Sequence, residues 1–223
     1  MVLGLLLGLG TAVPLVLGAV VGMRWSLPDR LLGGLMAFGA GTMLAAVGEE
    51  LFGPAFSGDG PLYASAALLA GALTYVVADR LLERRLPTGA AGFGLMVGAA
   101  LDGIPENAAL GVSGGSLALL VAIAVGNTPE AIGSAAILRR DPAIGMARGI
   151  ALWTATGAIL VAVTVATSTW SLPDRTNDMI LAYAGGAVIA VLSDTLMPEA
   201  YRDGGWWVGL ATAVGFLTAF SIG

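Results

Sequence analysis

The chain has 223 residues, 57% of them hydrophobic and only 11% charged, with a mean hydropathy of +0.88 and a formal charge of −5. A soluble domain of this length cannot cover so much apolar surface with so few charges, so a polytopic helical membrane protein is expected. Cysteine and histidine are both absent, which excludes disulfides, thiolate and iron–sulfur sites, the commonest zinc ligand and the usual general base.

A membrane span needs ~20 mostly apolar residues. Eight stretches qualify in chain order: roughly 2–23, 31–52, 62–82, 91–112, 116–138, 145–168, 178–199 and 205–222. The links are short and no linker separates a second unit, so residues 1–223 read as one transmembrane domain. The first stretch lacks a basic leader and is long enough to span, so it reads as a helix and not as a cleavable signal. The 34 glycines suit close helix approach, and Gly98, Gly103 and Gly126 are assigned to such packing. With Met1 outside, the inner loops and adjoining helix ends hold Arg24, Arg30, Arg80, Arg84, Arg85, Arg139, Arg140, Arg148 and Arg202, and the outer loops hold Arg175. That bias places both termini outside the cytoplasm. Trp25, Trp170, Trp206 and Trp207 suit anchoring at the membrane interface.

SLPDR occurs at 26–30 and again at 171–175, each time after a tryptophan. AFGAGTMLAAVGEELFGPAF follows the first copy and AYAGGAVIAVLSDTLMPEAY the second. With one gap, Pro54 matches Pro198 and Glu50 matches Asp194. The first copy enters its span from inside and the second from outside. Spans 4 and 5 carry DGIPE at 102–106 and GNTPE at 126–130, also in opposite directions. The expected fold is all-α, with eight transmembrane helices in a 3+2+3 inverted-repeat arrangement and proline-kinked central helices 4 and 5. Inverted repeats with interrupted central helices are a transporter signature, with the substrate site near the midplane.

Asp102 and Glu106 are spaced i, i+4, and Asn127 and Glu130 i, i+3, so each pair shares a helix face. Pro105 frees the carbonyl of Leu101 and Pro129 that of Val125. An acid at a span's centre costs at least ~2.5–3.5 kcal/mol, and the embedded parts of spans 4 and 5 offer no basic partner. Protonation or a bound cation would relieve the charge, and an oxygen-rich acidic cluster suits a divalent ion. Glu49 and Glu50 at the outer end of span 2, and Asp194 and Glu199 at the inner end of span 7, either line a cation path or are solvated helix ends. Asp79, Glu83, Asp141 and Asp203 lie among arginines and read as surface pairs. Met43 and Met96 read as packing.

The motifs resemble those of the ZIP (Zrt/Irt-like) metal transporters over nearly the whole chain. DGIPENAALGVS looks like the family's HN-x-P-E-G motif, GNTPEAIGSAA like its span 5 motif, and SDTLMPEAYRDGG like its DELIPEAHR ending of span 7. The resemblance implies a metal path between spans 4 and 5 with a binuclear or paired site. By position, Glu106, Asn127 and Glu130 match family ligands. Asp102 stands where the family has histidine, Gly103 where it has asparagine, and Gly126 where it often has histidine or glutamine. The family's histidine-rich loop between spans 3 and 4 is cut to LPTG. One site of Asp102, Glu106, Glu130 and Asn127 is expected, not two.

An all-oxygen site favours harder ions such as Mn²⁺ and leaves Fe²⁺ and Mg²⁺ open, whereas family precedent points to Zn²⁺. The expectation is a divalent-cation transporter of a prokaryotic plasma membrane working inward. It would need no prosthetic group and no nucleic acid, with the lipid bilayer as its surroundings and a homodimer compatible. A proton-coupled carrier of a non-metal substrate and a transport-dead ZIP-like sensor or scaffold are the alternatives. An enzyme such as an intramembrane protease fits poorly, because histidine is absent and the acids match no two-aspartate pattern.

Overall fold

In the computed structural model, which describes residues 1–57, 61–85, 91–142 and 144–222, each SLPDR copy ends in the first turn of a long helix. Pro28 and Pro173 cap these helices in nearly the same extended conformation, φ −60° and ψ 134° against φ −57° and ψ 144°. The Pro28 carbonyl accepts from the N–H groups of Leu31 and Leu32, and the Pro173 carbonyl from those of Thr176 and Asn177, all at 2.9–3.1 Å. Asp29 and Asp174 then sit in the first turn, where a negative charge favours the helix. Hydropathy alone places these helices from 31 and 178; they begin at Asp29 and Asp174 because the polar residues are the helix start.

The helices run in chain order as α1 (Val2–Arg24), α2 (Asp29–Ser57), α3 (Pro61–Arg85), α4 (Ala91–Val112), α5 (Leu117–Leu138), α6 (Met146–Ser168), α7 (Asp174–Gly204) and α8 (Val208–Phe220). No strand occurs among the described residues. Among the described residues, six helices are long and apolar enough to cross a membrane: α1, α2, α3 through Leu82, α5, α6 and α7. The chain is therefore an all-α protein with the helices of a multi-pass membrane protein. α4 has 22 residues. α8 has only 13, fewer than the ~20 of a full span, because Gly205 turns the chain at φ +84° and helix resumes only at Val208. The LPTG link and the side chains of Glu83 and Met96 lie outside the described residues.

Small residues set the packing. α1 lies against α5 and α6, α2 against α5, α7 and α8, α3 against α7, and α4 against α5, α6 and α7. Gly33 early in α2 touches Gly204 at the end of α7, while Phe52 late in α2 covers Gly185, so α2 and α7 run antiparallel. α1 and α6 are antiparallel too, with Gly4 on Ser168 and Gly149 on Met23. α1 runs parallel to α5, with Gly10 beside Leu120 and Gly22 beside Ala135. α4 runs parallel to α6, with Gly103 beside Leu160 and Gly111 beside Thr167.

These contacts come in matched pairs. Gly41 of α2 abuts the Thr212 carbonyl of α8, and Gly186 of α7 abuts the Leu68 carbonyl of α3. Gly215 of α8 abuts the Phe38 carbonyl, and Gly71 of α3 abuts that of Tyr183. Gly4 and Gly149, Phe38 and Tyr183, and Gly41 and Gly186 are all separated by the interval between the SLPDR copies. Leu68 and Thr212, and Gly71 and Gly215, are separated by one residue less. The missing residue falls in a pair of π-helical stretches, six residues in α2 (Val47–Phe52) and five in α7 (Leu192–Leu196). The gap that aligns Pro54 with Pro198 lies there.

Of the three glycines assigned to helix packing, Gly103 receives Leu160 and Gly126 receives Met43. Gly98 does not fit that role, because a methyl group there would meet nothing within 4 Å. Gly71→Val and Gly215→Val should each lower the thermal midpoint in detergent, with a loss of at least about 1–3 kcal/mol, since each side chain would drive into a backbone carbonyl. Gly98→Val should leave the midpoint nearly unchanged. Equal midpoints for all three variants would contradict this packing.

Candidate cation site

α4 and α5 lie side by side, and both stay helical through their prolines, Pro105 and Pro129. The prolines do not break the helices because each removes one hydrogen bond and the neighbouring turns remain intact. Asp102, Glu106, Asn127 and Glu130 are all buried, at 4, 3, 6 and 9% exposure. Glu130 and Glu106 both act electrostatically on Asp102, and Glu130 acts on Glu106. The Asn127 side chain faces the Glu106 carboxyl. The four side chains expected to share a site are thus brought into one neighbourhood.

No positive charge reaches them. All ten basic residues are arginines, and none is buried. Asp102 Oδ1 and Glu106 Oε2 are enclosed without a hydrogen-bond partner. Among the described residues, no three acids close on a common point at metal-ligand spacing. The cluster is a shared pool of buried charge, and its carboxylates would have to swing inward to enclose an ion.

The other expected acids separate. Glu199 is half-buried and acts on Glu130, so it extends the cluster toward the end of α7. Glu49 and Asp194 are exposed, and Glu50 is half-buried, all three in the π-helical stretches. Asp203 pairs with the adjacent Arg202 at 2.9 Å on the surface. Met43 is buried against Gly126 as a packing residue. Trp25, Trp170 and Trp206 are exposed, as anchors at an interface would be, but Trp207 packs its ring on Gly34.

Leu101 and Pro105 line an apolar groove of about 300 Å³ with Ile104, Ala108, Ile180 and Tyr183. Val125 and Pro129 line a second, of about 390 Å³, with Thr128, Ile132, Leu35 and Phe38. These six positions of one groove correspond to these six of the other under the interval between DGIPE and GNTPE and that between the SLPDR copies.

Two polar elements escaped the reading of the sequence. Asn107, fully buried, accepts from Thr11 Oγ1 of α1 at 2.7 Å and from Thr164 Oγ1 of α6 at 3.0 Å. Its amide donates to the Gly103 carbonyl at 2.9 Å. It therefore locks the turn that carries Glu106 to two further helices. The signal was a second polar residue beside Glu106 in PEN, with lone threonines in apolar runs. The other element is Tyr75, buried on α3, whose hydroxyl lies 3.1 Å from Thr195 Oγ1 on α7.

No protein-family model matches the chain, and no curated protein matches it.

Asn107→Ala should destabilise the folded chain by about 1–3 kcal/mol in a detergent melt, through lost bonds and the void left behind. Thr164→Val should cost less, because Thr11 still donates to Asn107. A Thr164→Val loss equal to that of Asn107→Ala would show that the amide is not the centre of this network.

Proposed function

We propose that the chain is a ZIP-like transporter that moves a divalent metal cation, Zn²⁺ or a harder ion such as Mn²⁺ or Fe²⁺, toward the cytoplasm. The observation that carries this reading is the buried set of Asp102, Glu106, Asn127 and Glu130, with no buried arginine to neutralise it. Three carboxylates in an apolar bundle need a counter-charge, and a mobile dication supplies one. Glu199, beside Glu130, offers the next oxygen along the same route.

The matched contacts of α1–α3 with α6–α8, and the antiparallel runs of α1 against α6 and α2 against α7, support eight spans in a 3+2+3 inverted repeat. In that arrangement one helix group rocks against the other around a fixed site. The arginine bias then puts both termini on the extracytoplasmic face of a prokaryotic plasma membrane. Transport of this kind needs no covalent chemistry and no prosthetic group, so the protein acts as a carrier and not as an enzyme.

Cation uptake into proteoliposomes tests this directly, with Zn²⁺, Cd²⁺, Mn²⁺, Fe²⁺ and Mg²⁺ compared side by side. Wild-type protein should accumulate at least one of them, and Glu106→Ala and Glu130→Ala should abolish uptake while eluting as folded protein. Wild-type flux in either variant would remove the site assignment. Folded wild-type protein that carries none of these ions, yet shows a strong pH dependence with another solute, would favour a proton-coupled carrier, for which the unpartnered carboxyl oxygens are equally suited.

A further inference from the structure

The matched halves of the bundle depart from each other at three positions that meet in space. Asp102 in DGIPE corresponds to Gly126 in GNTPE. Tyr75 on α3 corresponds to Ala219 on α8, by the same interval that relates Gly71 to Gly215. Thr195, in the π-helical stretch of α7, stands where the stretch of α2 has Glu50 or Leu51, on either side of the one-residue gap. Each of the three has no like residue in the other half, and the fold gathers all three into one place.

Their contacts form a line. Thr195 Oγ1 and the Tyr75 hydroxyl are 3.1 Å apart, and Tyr75 lines the same groove as Leu101, the residue before Asp102, with its hydroxyl acting on the Asp102 carboxyl. Thr74, Thr128 and Thr154 turn the hydroxyl back on a carbonyl one turn earlier. Thr195 instead reaches across to α3 from a widened helical turn, a feature often found at functional sites. An ionised carboxylate can only accept, so with Asp102 charged the Tyr75 hydroxyl is the donor toward it and Thr195 the donor to Tyr75. Asp102 Oδ1 has no protein partner and is left for a ligand.

We propose that Tyr75, held by Thr195, is a positioning residue of the acidic site, orienting the Asp102 carboxyl toward the cation and tying it to the π-helical turn of α7. This rests on the cation-site reading above. A ligand carboxylate fixed by an outer hydrogen bond keeps one oxygen aimed at the metal, and loss of such a bond weakens metal affinity by roughly 10–100-fold.

The test is Mn²⁺ binding to the purified full chain in detergent, followed by loss of the free-ion electron paramagnetic resonance signal, which registers weak as well as tight binding. Tyr75→Phe should weaken Mn²⁺ binding by about 10-fold or more at unchanged thermal midpoint, and Thr195→Val should weaken it in the same direction. In an Asp102→Ala background, Tyr75→Phe should cause no further loss, because its effect passes through the Asp102 carboxylate. Wild-type affinity in Tyr75→Phe, or the same fold-loss with and without Asp102, would overturn the proposal and leave Tyr75 a packing residue. Should Tyr75→Phe not fold, Thr195→Val in the two backgrounds decides by the same criteria. Wild-type protein that is folded and binds no Mn²⁺, Zn²⁺ or Fe²⁺ would instead defeat the cation-site reading itself, and the positioning role with it.

Discussion

Three carboxylates lie enclosed in an apolar helix bundle that buries no arginine. The rest of the structure follows from that constraint. Isolated buried charge is among the costliest features a membrane helix can carry. It persists here only because the surrounding helices hold the acids in place and leave specific oxygens unsatisfied. Asn107 does part of that holding, joining α4 to α1 and α6 through two threonine hydroxyls on either side of one amide oxygen. The polar side chains of the core fall into two kinds. Both polar atoms of the Asn107 amide are bonded and fix the frame, while Asp102 and Glu106 keep oxygens free.

That frame depends on glycine more than on large side chains. At Gly41, Gly186, Gly71 and Gly215 one helix rests on the bare carbonyls of another, closer than any side chain would allow. Between membrane helices there is little hydrophobic gain in association, so contact area and close approach supply the attraction. Four carbonyl-on-glycine crossings in two matched pairs fix α2 to α8 and α3 to α7 on either side of the central helices. The larger side chains gather elsewhere, as where Trp153, Leu160, Met23 and Leu138 form one buried cluster among α1, α4, α5 and α6.

Much of this was legible in the sequence, and for definite reasons. Hydropathy located the helices to within a few residues because an apolar run has only one way to satisfy its backbone in lipid. It misplaced their polar ends, as at Asp29 and Asp174, because capping residues lower the mean hydropathy of the helices they begin. Duplicated SLPDR and Pro-Glu sequences exposed the pairing of segments, and the acids at helical spacing singled out side chains that the fold buries together. The match of α3 with α8 was missed, although GALT at 71–74 answers GFLT at 215–218. Two shared glycine-and-threonine positions are too common in such a chain to stand out until the crossings show what they hold. Asn107, Tyr75 and Thr195 were missed for another reason: their roles lie in contacts between helices distant in sequence, which no local spacing reveals.

The helix contacts come in matched pairs, but the polar side chains of the central motifs do not. The two central motifs share Pro105 with Pro129 and Glu106 with Glu130, but Asp102 faces a glycine at its matching position, Gly126, and Asn127 matches Gly103. Those two glycines are not vacant. Met43 rests over Gly126 and Leu160 over Gly103, so an apolar side chain from a neighbouring helix takes the room where a second set of polar groups would stand. Each motif therefore contributes one glutamate and one further oxygen-bearing side chain to the buried cluster, and each has a glycine where the other has that second polar residue. The two motifs are alike in backbone and complementary in side chains, so the buried acids form one cluster drawn from both helices.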